Sequence, residues 1–252
     1  MHTTNIEPLI RDRYRALKGR EFAFTDIDPF RVAHLIIDMQ NGFVAEGAMF
    51  EVPEARTVVD NINLLSDTIR TRGGQNYYFA FTTDTADDWP VYFRQFLKPD
   101  FAQAEVDAFR PGSAGHQLYS QLDVHDVDTV VRKTRFSPFT PGSSNALELL
   151  TARGIDTVVI SGTLTDCCCS TAARDAQQLG FRVLFVSDAT AALSDDEHNA
   201  AISSLAAWFA DIRTTEQTVE LLNRTTTVSS VSGANRPDVP SRDPRLPTNQ
   251  DT

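Results

Sequence analysis

The stretch His34-Leu35-Ile36-Ile37-Asp38 decides how the chain is expected to fold. A short apolar run that is rich in β-branched residues and bounded by a polar side chain is typical of a buried strand. The acid that closes the run marks the place where the strand leaves the apolar interior. We therefore predict that this stretch is a strand of a buried sheet, with Asp38 at its carboxyl end.

Strands and helices alternate along the chain on either side of this stretch. Four further apolar runs predict strands at residues 77–82, 129–132, 157–161 and 182–187. Apolar residues at helical spacing predict helices at residues 58–71, 144–152, 168–180 and 199–210. Because alternating strands and helices form parallel sheets that are covered on both faces, the expected fold class is α/β, doubly wound.

The two ends of the chain differ from the middle. Residues 1–30 carry mixed charge and several aromatic side chains, which indicates an arm that packs on the domain or on a neighbouring subunit. Residues 31–223 are expected to form the domain itself. Residues 224–252 are rich in Ser, Thr, Pro and Asp, so we predict a disordered C-terminal tail. The long connection at residues 84–118 is expected to shape a binding site or an interface.

Composition and charge exclude several classes of protein. The 252 residues are 41% hydrophobic and carry a formal net charge of −11, which argues against a nucleic-acid binder with its basic surface. No run approaches the roughly 18 apolar residues that span a bilayer, and the first residues lack the apolar centre of a signal peptide. Three adjacent cysteines provide no disulfide framework. We therefore expect a cytoplasmic protein without nucleic-acid or membrane partners.

Candidate chemistry gathers where three of the predicted strands end. Open parallel sheets bind ligands outside the carboxyl ends of their strands. Asp38 closes the first strand, Lys133 follows the third, and Thr165-Asp166-Cys167-Cys168-Cys169-Ser170 follows the fourth. An acid after a strand is more often a turn residue, and a lysine is more often solvated. Only three of the 23 Lys and Arg residues are lysines, however, so the combination points to a site.

The helical phase distinguishes the three cysteines. Cys169 continues the apolar stripe of Ala172, Ala173 and Ala176, so it is expected to pack in the core. Cys168 lies about 100° round from that stripe at the helix start, where the helix dipole favours an anion and lowers the pKa of a thiol. Cys168 is therefore the best candidate nucleophile. On this argument alone, three small buried residues without chemistry are an equally good interpretation.

Three motifs now carry a resemblance to a known family. They are residues 38–43 (DMQNGF), 133–137 (KTRFS) and 162–168 (GTLTDCC), the last followed by TAARDA at 171–176. In order and spacing they resemble the motifs of the isochorismatase-like cysteine hydrolases, which include N-carbamoylsarcosine amidase and ureidoacrylate amidohydrolase. The match covers about residues 32–222. The resemblance implies a Rossmann-like, doubly wound sheet of six parallel strands flanked by helices.

The resemblance also implies a catalytic apparatus. It carries an Asp-Lys-Cys triad over to Asp38, Lys133 and Cys168, an oxyanion hole over to the amides of Leu164 and Cys168, and a cis peptide bond over to Thr163 and Leu164. The implied activity is metal-independent hydrolysis of a C-N bond in a small-molecule amide or ureide through a thioester intermediate. Relatives are commonly homo-oligomers, so a dimer or tetramer is expected.

Departures from the family narrow the implied activity. The nicotinamidases of the superfamily bind a metal through an aspartate and histidines after the second strand, but residues 82–90 (TTDTADDWP) contain no histidine. We therefore predict no metal and no cofactor, and disfavour nicotinamide as substrate. An isochorismatase-type vinyl-ether hydrolase and a thiol sensor or binding protein on the same fold stay open as alternatives.

Six side chains in or near the motif loops are candidate substrate contacts. Aromatic rings there are expected to wall a small cavity, and the fork of Arg135 is suited to clamp a substrate carboxylate. Ordinary core packing or exposed charge is the alternative for each residue. The candidates are Gln40, Asn41, Phe43, Trp89, Arg135 and Phe136.

Overall fold

A single parallel sheet forms the centre of the protein. The computed structural model describes residues 1–224. Its strands are β1 Val32–Ile37, β2 Gln75–Phe81, β3 Thr129–Lys133, β4 Thr157–Thr163, β5 Arg182–Ala191 and β6 Asp211–Arg213. They are all parallel and lie in the order β3-β2-β1-β4-β5-β6, so the order reverses between β1 and β4. The prediction of a six-stranded, doubly wound α/β fold is confirmed.

Helices cover the sheet on both faces because its strands are apolar on both faces. In β1, Leu35 and Ile37 belong to one core cluster and Val32 and Ile36 to the other. The eight helices within the described residues are α1 Pro8–Lys18, α2 Asn41–Val44, α3 Val59–Thr71, α4 Pro99–Phe109, α5 Ala146–Ala152, α6 Ser170–Gln178, α7 Asp195–Trp208 and α8 Thr215–Asn223. Residues from α1, α5, α6 and α7 join the first cluster, and residues from α3 and α8 join the second.

The C-terminal residues of the chain are not part of the described structure. Residues 225–252 lie outside it, and with them nearly all of the predicted C-terminal tail. Within residues 1–224, none of the helices combines the length and apolar character that crossing a bilayer requires.

The N-terminal residues are attached to the first core cluster. Ile6 and Tyr14 are buried in that cluster, and α1 contacts α7. The carboxylate of Asp211, at the start of β6, accepts the backbone amides of Ala23 and Phe24 at 2.9 and 2.8 Å. In this single chain the arm therefore packs on the helical layer beside β5 and β6.

One glycine fixes the approach of β4 to β1. Gly162 has φ of 110° and lies beside Ile37 in the register of the two strands. A Cβ atom at this position would lie 2.1 Å from the carbonyl oxygen of Ile37, which no side chain can tolerate. Glycine is therefore required, and it brings the loop that follows β4 close to the end of β1.

The connection between β2 and β3 builds a third apolar cluster at the carboxyl edge of the sheet. It contains a 3₁₀ turn at Ala86–Asp88, a π-type turn at Val91–Phe96 and helix α4. Phe93 and Phe109 of this segment pack with Phe81 at the end of β2. The long connection thus covers the strand ends where the candidate residues lie.

Candidate active site

The ends of three strands bring together the acid, the amine and the thiol. Asp38 follows β1, Lys133 ends β3, and Cys168 lies in a π-type turn, Thr165–Cys169, that follows β4. All three side chains are buried. Lys133 Nζ lies 2.7 Å from Asp38 Oδ2, and the Cys168 thiol is close enough to Asp38 to lower the pKa of its carboxyl. The strand order makes this possible, because β1 lies between β2 and β4 at the point where the order reverses.

The backbone holds Asp38 in an uncommon conformation. Its φ is 52°, and among the residues of the described chain it is the one residue other than glycine with positive φ. Such a conformation costs of order 1 kcal/mol or more and persists where neighbouring contacts enforce it. The amide of Asp38 donates to Phe79 O at 2.9 Å, and Asp38 Oδ1 accepts the amide of Phe81 at 3.0 Å. The carboxylate is thereby fixed against the end of β2.

The environment of Lys133 favours its charged form. Nζ also donates to Arg135 O at 3.1 Å and lies 5.3 Å from the centre of the Phe81 ring. Burial alone would lower the pKa of Lys133, but the negative charges that Asp38 and Cys168 can carry outweigh it, so the pKa is raised. Lys133 is therefore a fixed positive charge beside the carboxylate.

Burial has the opposite consequence for Asp38. It raises the pKa of the carboxyl, and the charge of Lys133 and the hydrogen bonds from Lys133, Cys168 and Phe81 offset only part of that rise. A carboxylate with a raised pKa is a stronger base. The pair therefore combines a base with a neighbouring positive charge that favours its ionised form.

The surroundings of the Cys168 thiol favour its protonated form. A hydrogen bond with Cys167 and burial raise its pKa well above the ordinary value, and the attraction of Lys133 offsets part of that. The expectation that the helix start lowers the pKa of this thiol is therefore wrong for the ligand-free site. The thiol needs a base to become a nucleophile, and the carboxyl of Asp38 is close enough for the two groups to affect each other's pKa.

The neighbouring cysteines have different surroundings. Cys169 is fully buried among Ala172, Ala173 and Ala176, and its Sγ lies 3.8 Å from Ser161 O. Cys167 is partly exposed and reaches the same cavity as Cys168. Of the three consecutive cysteines, Cys169 is therefore a core residue, whereas Cys167 and Cys168 face the cavity.

The turn after β4 also presents backbone amides. The peptide bond between Thr163 and Leu164 is cis. The amides of Cys167 and Cys169 donate to Leu164 O at 3.2 and 3.1 Å. Among residues 1–224, the amide of Leu164 has no hydrogen-bond acceptor. Leu164 itself lines the cavity that contains Cys168.

A cavity of about 430 Å³ opens onto Cys167 and Cys168. Its walls are mostly apolar and include Phe43, Phe50, Phe81, Phe101, Phe136 and Leu164. A larger cavity of about 730 Å³ lies at the opposite edge of the sheet, beside residues 26–31 and 70–73. That cavity contains no cysteine and lies far from the ion pair, so we assign the site to the smaller one.

Two of the six candidate substrate contacts, Phe43 and Phe136, line this cavity. The amide of Gln40 is used by the backbone instead: Nε2 donates to Phe81 O at 3.1 Å, and Oε1 accepts the amide of Phe81 at 2.8 Å. Asn41 Nδ2 donates to Ala114 O at 3.1 Å. The side-chain amides of Gln40 and Asn41 therefore bind backbone groups where residues 38–43 meet β2 and the long connection.

The other two candidates lie outside the walls of the cavity. The guanidinium of Arg135 donates to Thr134 O at 2.7 Å and to Asp88 O at 3.0 Å, and lies 4.9 Å from the centre of the Trp89 ring. Trp89 packs edge to face on Phe136, with 4.9 Å between ring centres. Trp89 and Arg135 thus form a layer behind Phe136, and each terminal nitrogen of the guanidinium already donates to a backbone carbonyl.

Sequence reasoning missed several residues of the cavity, and Glu105 is the most informative of them. It lies on α4 and is 5% exposed. The signal was present, because Glu105 shares the buried stripe of Ala102, Val106 and Phe109 at helical spacing. A carboxyl in the apolar stripe of a helix needs an explanation, since burial of an acid is costly.

The described part of the chain contains no cluster of metal-binding side chains. Within residues 1–224, no three side chains of the types His, Cys, Asp and Glu lie together in a way that would hold a metal ion.

The fold and the arrangement of acid, amine and thiol define an isochorismatase-like α/β hydrolase. The family model for the isochorismatase domain matches residues 32–217. The chain belongs to the isochorismatase family, as the resemblance of its motifs indicated.

Individual relatives agree with this assignment. The chain is 30% identical over 201 residues to the isochorismatase family protein YwoC of Bacillus subtilis, covering 77% of this chain and 96% of the relative. It is 29% identical over 184 residues to the ureidoacrylate amidohydrolase RutB of Rhizobium rhizogenes, covering 68% and 74%. The crystal structure of a cysteine hydrolase from Pseudomonas syringae superposes with a TM-score of 0.71 at 22% identity, covering 78% and 94%, and supports the fold.

Proposed function

We propose that the protein hydrolyses a C-N bond of a small amide or ureide, with Cys168 as nucleophile and Asp38 as general base. The observation that carries the proposal is the buried ion pair of Lys133 and Asp38, at 2.7 Å, beside the Cys168 thiol. A relative that is named an amidohydrolase, RutB of Rhizobium rhizogenes, supports the C-N chemistry. This reaction class needs a thiol, a base that removes its proton and a polar site for the oxyanion.

The first half of the reaction forms a thioester. Asp38 takes the proton of the Cys168 thiol while Sγ attacks the carbonyl carbon of the substrate. The carbonyl oxygen becomes an oxyanion, which accepts hydrogen bonds from the amides of Leu164 and Cys168. Removing one such donor in a comparable site costs roughly 2.7–4 kcal/mol. The C-N bond then breaks, and the leaving nitrogen takes the proton from Asp38.

The second half releases the acid. Asp38 is again ionised and takes a proton from a water molecule that attacks the carbonyl carbon of the thioester. The same two amides bind the second oxyanion. The C-S bond breaks, the proton returns to Sγ, and the carboxylic or carbamic acid leaves. Lys133 keeps Asp38 oriented and ionised in each resting state and does not itself transfer a proton.

Ammonia release from a panel of small amides and ureides tests the proposal. Wild type, Cys168→Ala and Cys167→Ala are compared with and without a chelator. We expect release by wild type and Cys167→Ala, none above background by Cys168→Ala, and no effect of the chelator. Full turnover by Cys168→Ala would overturn the nucleophile, and release of pyruvate from a vinyl ether without ammonia would favour the isochorismatase-type reaction.

A further inference from the structure

Glu105 is the polar exception in the apolar wall that faces Cys168. Its side chain lines the cavity although only 5% of the residue is exposed. It comes from α4, whereas the nucleophile comes from the turn that follows β4. A carboxyl in this wall meets a substrate that fills the cavity.

The protein gives the Glu105 carboxyl very little compensation. The Tyr92 hydroxyl lies 3.4 and 3.3 Å from its two oxygens, so one long hydrogen bond is shared between them. Among residues 1–224, no Lys, Arg or His forms an ion pair with it. Burial raises the pKa of Glu105 to about 7, and the hydrogen bond from Tyr92 offsets little of this.

The other acidic residue of the cavity wall, Glu51, has protein groups that pair with its carboxylate. Glu51 also lines the cavity, but its Oε1 lies 2.6 Å from the guanidinium of Arg56 and its Oε2 accepts the amide of Gly47 at 2.8 Å. Its hydrogen bonds are thus supplied by the protein. Those of Glu105 are left for a ligand.

The cavity offers no counterpart for a negatively charged substrate. Its wall, as far as the described residues form it, contains no Lys, Arg or His. The fork of Arg135 is occupied by the carbonyls of Asp88 and Thr134, and Lys133 is committed to Asp38. A substrate carboxylate would lose its hydration and find no cation in the wall. The polar groups of the wall besides the two acids are the Tyr92 hydroxyl, two thiols and the Leu164 amide, which the proposed reaction uses for the oxyanion, so burial of a carboxylate there is unfavourable.

We propose that Glu105, assisted by Tyr92, binds a positively charged amino group of the substrate. The substrate class is then an amide or ureide with an apolar body and a basic amine, and carboxylate-bearing amides are excluded. The inference rests on the proposed function for the identity of the scissile bond. It stands apart from that function in what it says about binding, because the charge preference of the cavity does not depend on turnover.

Protection of Cys168 from alkylation tests the charge preference and does not require turnover. Three probes share a benzamide body: 4-(aminomethyl)benzamide is cationic, 4-ethylbenzamide is its neutral analogue, and 4-carboxybenzamide is anionic. Each is titrated at pH 8 against iodoacetamide, and labelling of Cys168 is read by tandem mass spectrometry. We expect the cation to protect at a concentration at least tenfold lower than the neutral probe, and the anion to protect least.

Two variants assign the preference to Glu105. In Glu105→Gln, the cation should protect no better than the neutral probe, and protection by the neutral probe should change less than twofold. Asp100→Asn removes an exposed acid from the same helix and should keep the wild-type preference.

Three results would overturn the inference. They are best protection by the anion, a cation preference that survives in Glu105→Gln, and absence of protection by every probe. If the preference holds while no amide or ureide is hydrolysed, the proposed function fails and the binding inference stands.

Discussion

Two buried carboxyl groups face the cavity region, and the protein treats them differently. Asp38 has Lys133 at 2.7 Å and the amide of Phe81 at 3.0 Å, whereas Glu105 has only the Tyr92 hydroxyl at 3.3–3.4 Å. A buried charge is stable when its partner is built in, and it is costly when the partner is missing. The first arrangement suits a fixed base, which is the role proposed for Asp38. The second is that of a binding group whose partner arrives with the substrate.

Replacing Lys133 breaks this contrast most directly. Lys133→Met leaves Asp38 buried and without its cation, and removal of one partner of a buried pair costs about 3–5 kcal/mol of stability. Loss of the ionised base should also lower kcat by about 10²–10⁴-fold. Chemical denaturation and steady-state kinetics measure both effects, with Lys98→Met as the exposed control.

A double variant distinguishes the effect of an unpaired buried charge on stability from the effect of the lost base on activity. Asp38→Asn combined with Lys133→Met removes both charges, so it should regain most of the lost stability and none of the activity. If the double variant loses more unfolding free energy than the two single variants lose together, Asp38 and Lys133 do not stabilise the protein as a pair.

Replacing Gly162 tests whether the close approach of β4 to β1 requires a glycine. In Gly162→Ala the new Cβ would lie 2.1 Å from Ile37 O at a φ of 110°, so β4 must move away from β1. We expect a loss of about 2–5 kcal/mol of stability from overpacking and backbone strain. Gly154→Ala is the matched control, because φ is 65° there but the space is open, and about 1 kcal/mol is expected. Equal losses in thermal unfolding would contradict the close-approach argument.

Removing the unpaired carboxyl should stabilise the protein. The pKa of Glu105 is about 7 in the folded protein against 4.5 as its ordinary value. The folded protein therefore binds more protons than the unfolded chain between these values, so stability falls as pH rises through this window. Glu105→Gln should be more stable than wild type by up to about 3 kcal/mol at pH 8 and close to equal at pH 4. Urea denaturation at the two pH values measures the difference, and a destabilised variant at pH 8 would show that the carboxylate is already compensated.

The smallest effect is the pH dependence of cation binding. The preference for the cationic probe should grow up to about tenfold as pH rises from 6 to 8, because Glu105 becomes ionised in this range. The other titratable groups facing the cavity are Glu51, Tyr92, Cys167 and Cys168. Burial raises the pKa of Tyr92, and a hydrogen bond with Cys167 and burial raise that of Cys168. The protection assay in Glu105→Gln should lose this slope, and an unchanged slope would assign it to another group.

The sequence predicts the sheet well because its strands are nearly continuous apolar runs. β1 and β4 are buried along their whole length, which produces a readable pattern. β6 has only three residues, Asp211–Arg213, and no run of that length carries a pattern of its own. The six-stranded sheet followed from the motifs, which identify the family as a whole.

The site was predictable where strand ends determine it, and less so where loops do. Asp38, Lys133 and Cys168 meet because parallel strands end at one edge. The side chains of Gln40 and Arg135 lie in loops, and their orientation depends on carbonyl groups of the long connection, which no local pattern reveals. The raised thiol pKa of Cys168 depends on burial and on the Cys167 side chain, which helix position alone does not predict.

The central claim is that Cys168 forms a thioester while Asp38 and Lys133 remain a buried ion pair. Rapid acid quenching of wild type with a turned-over amide, followed by intact-mass and peptide mass spectrometry, tests it most directly. We expect an adduct of acyl mass on Cys168, formed in a burst together with one equivalent of ammonia and absent from Cys168→Ala. Ammonia formation without any adduct, or an adduct on Cys167 alone, would contradict it.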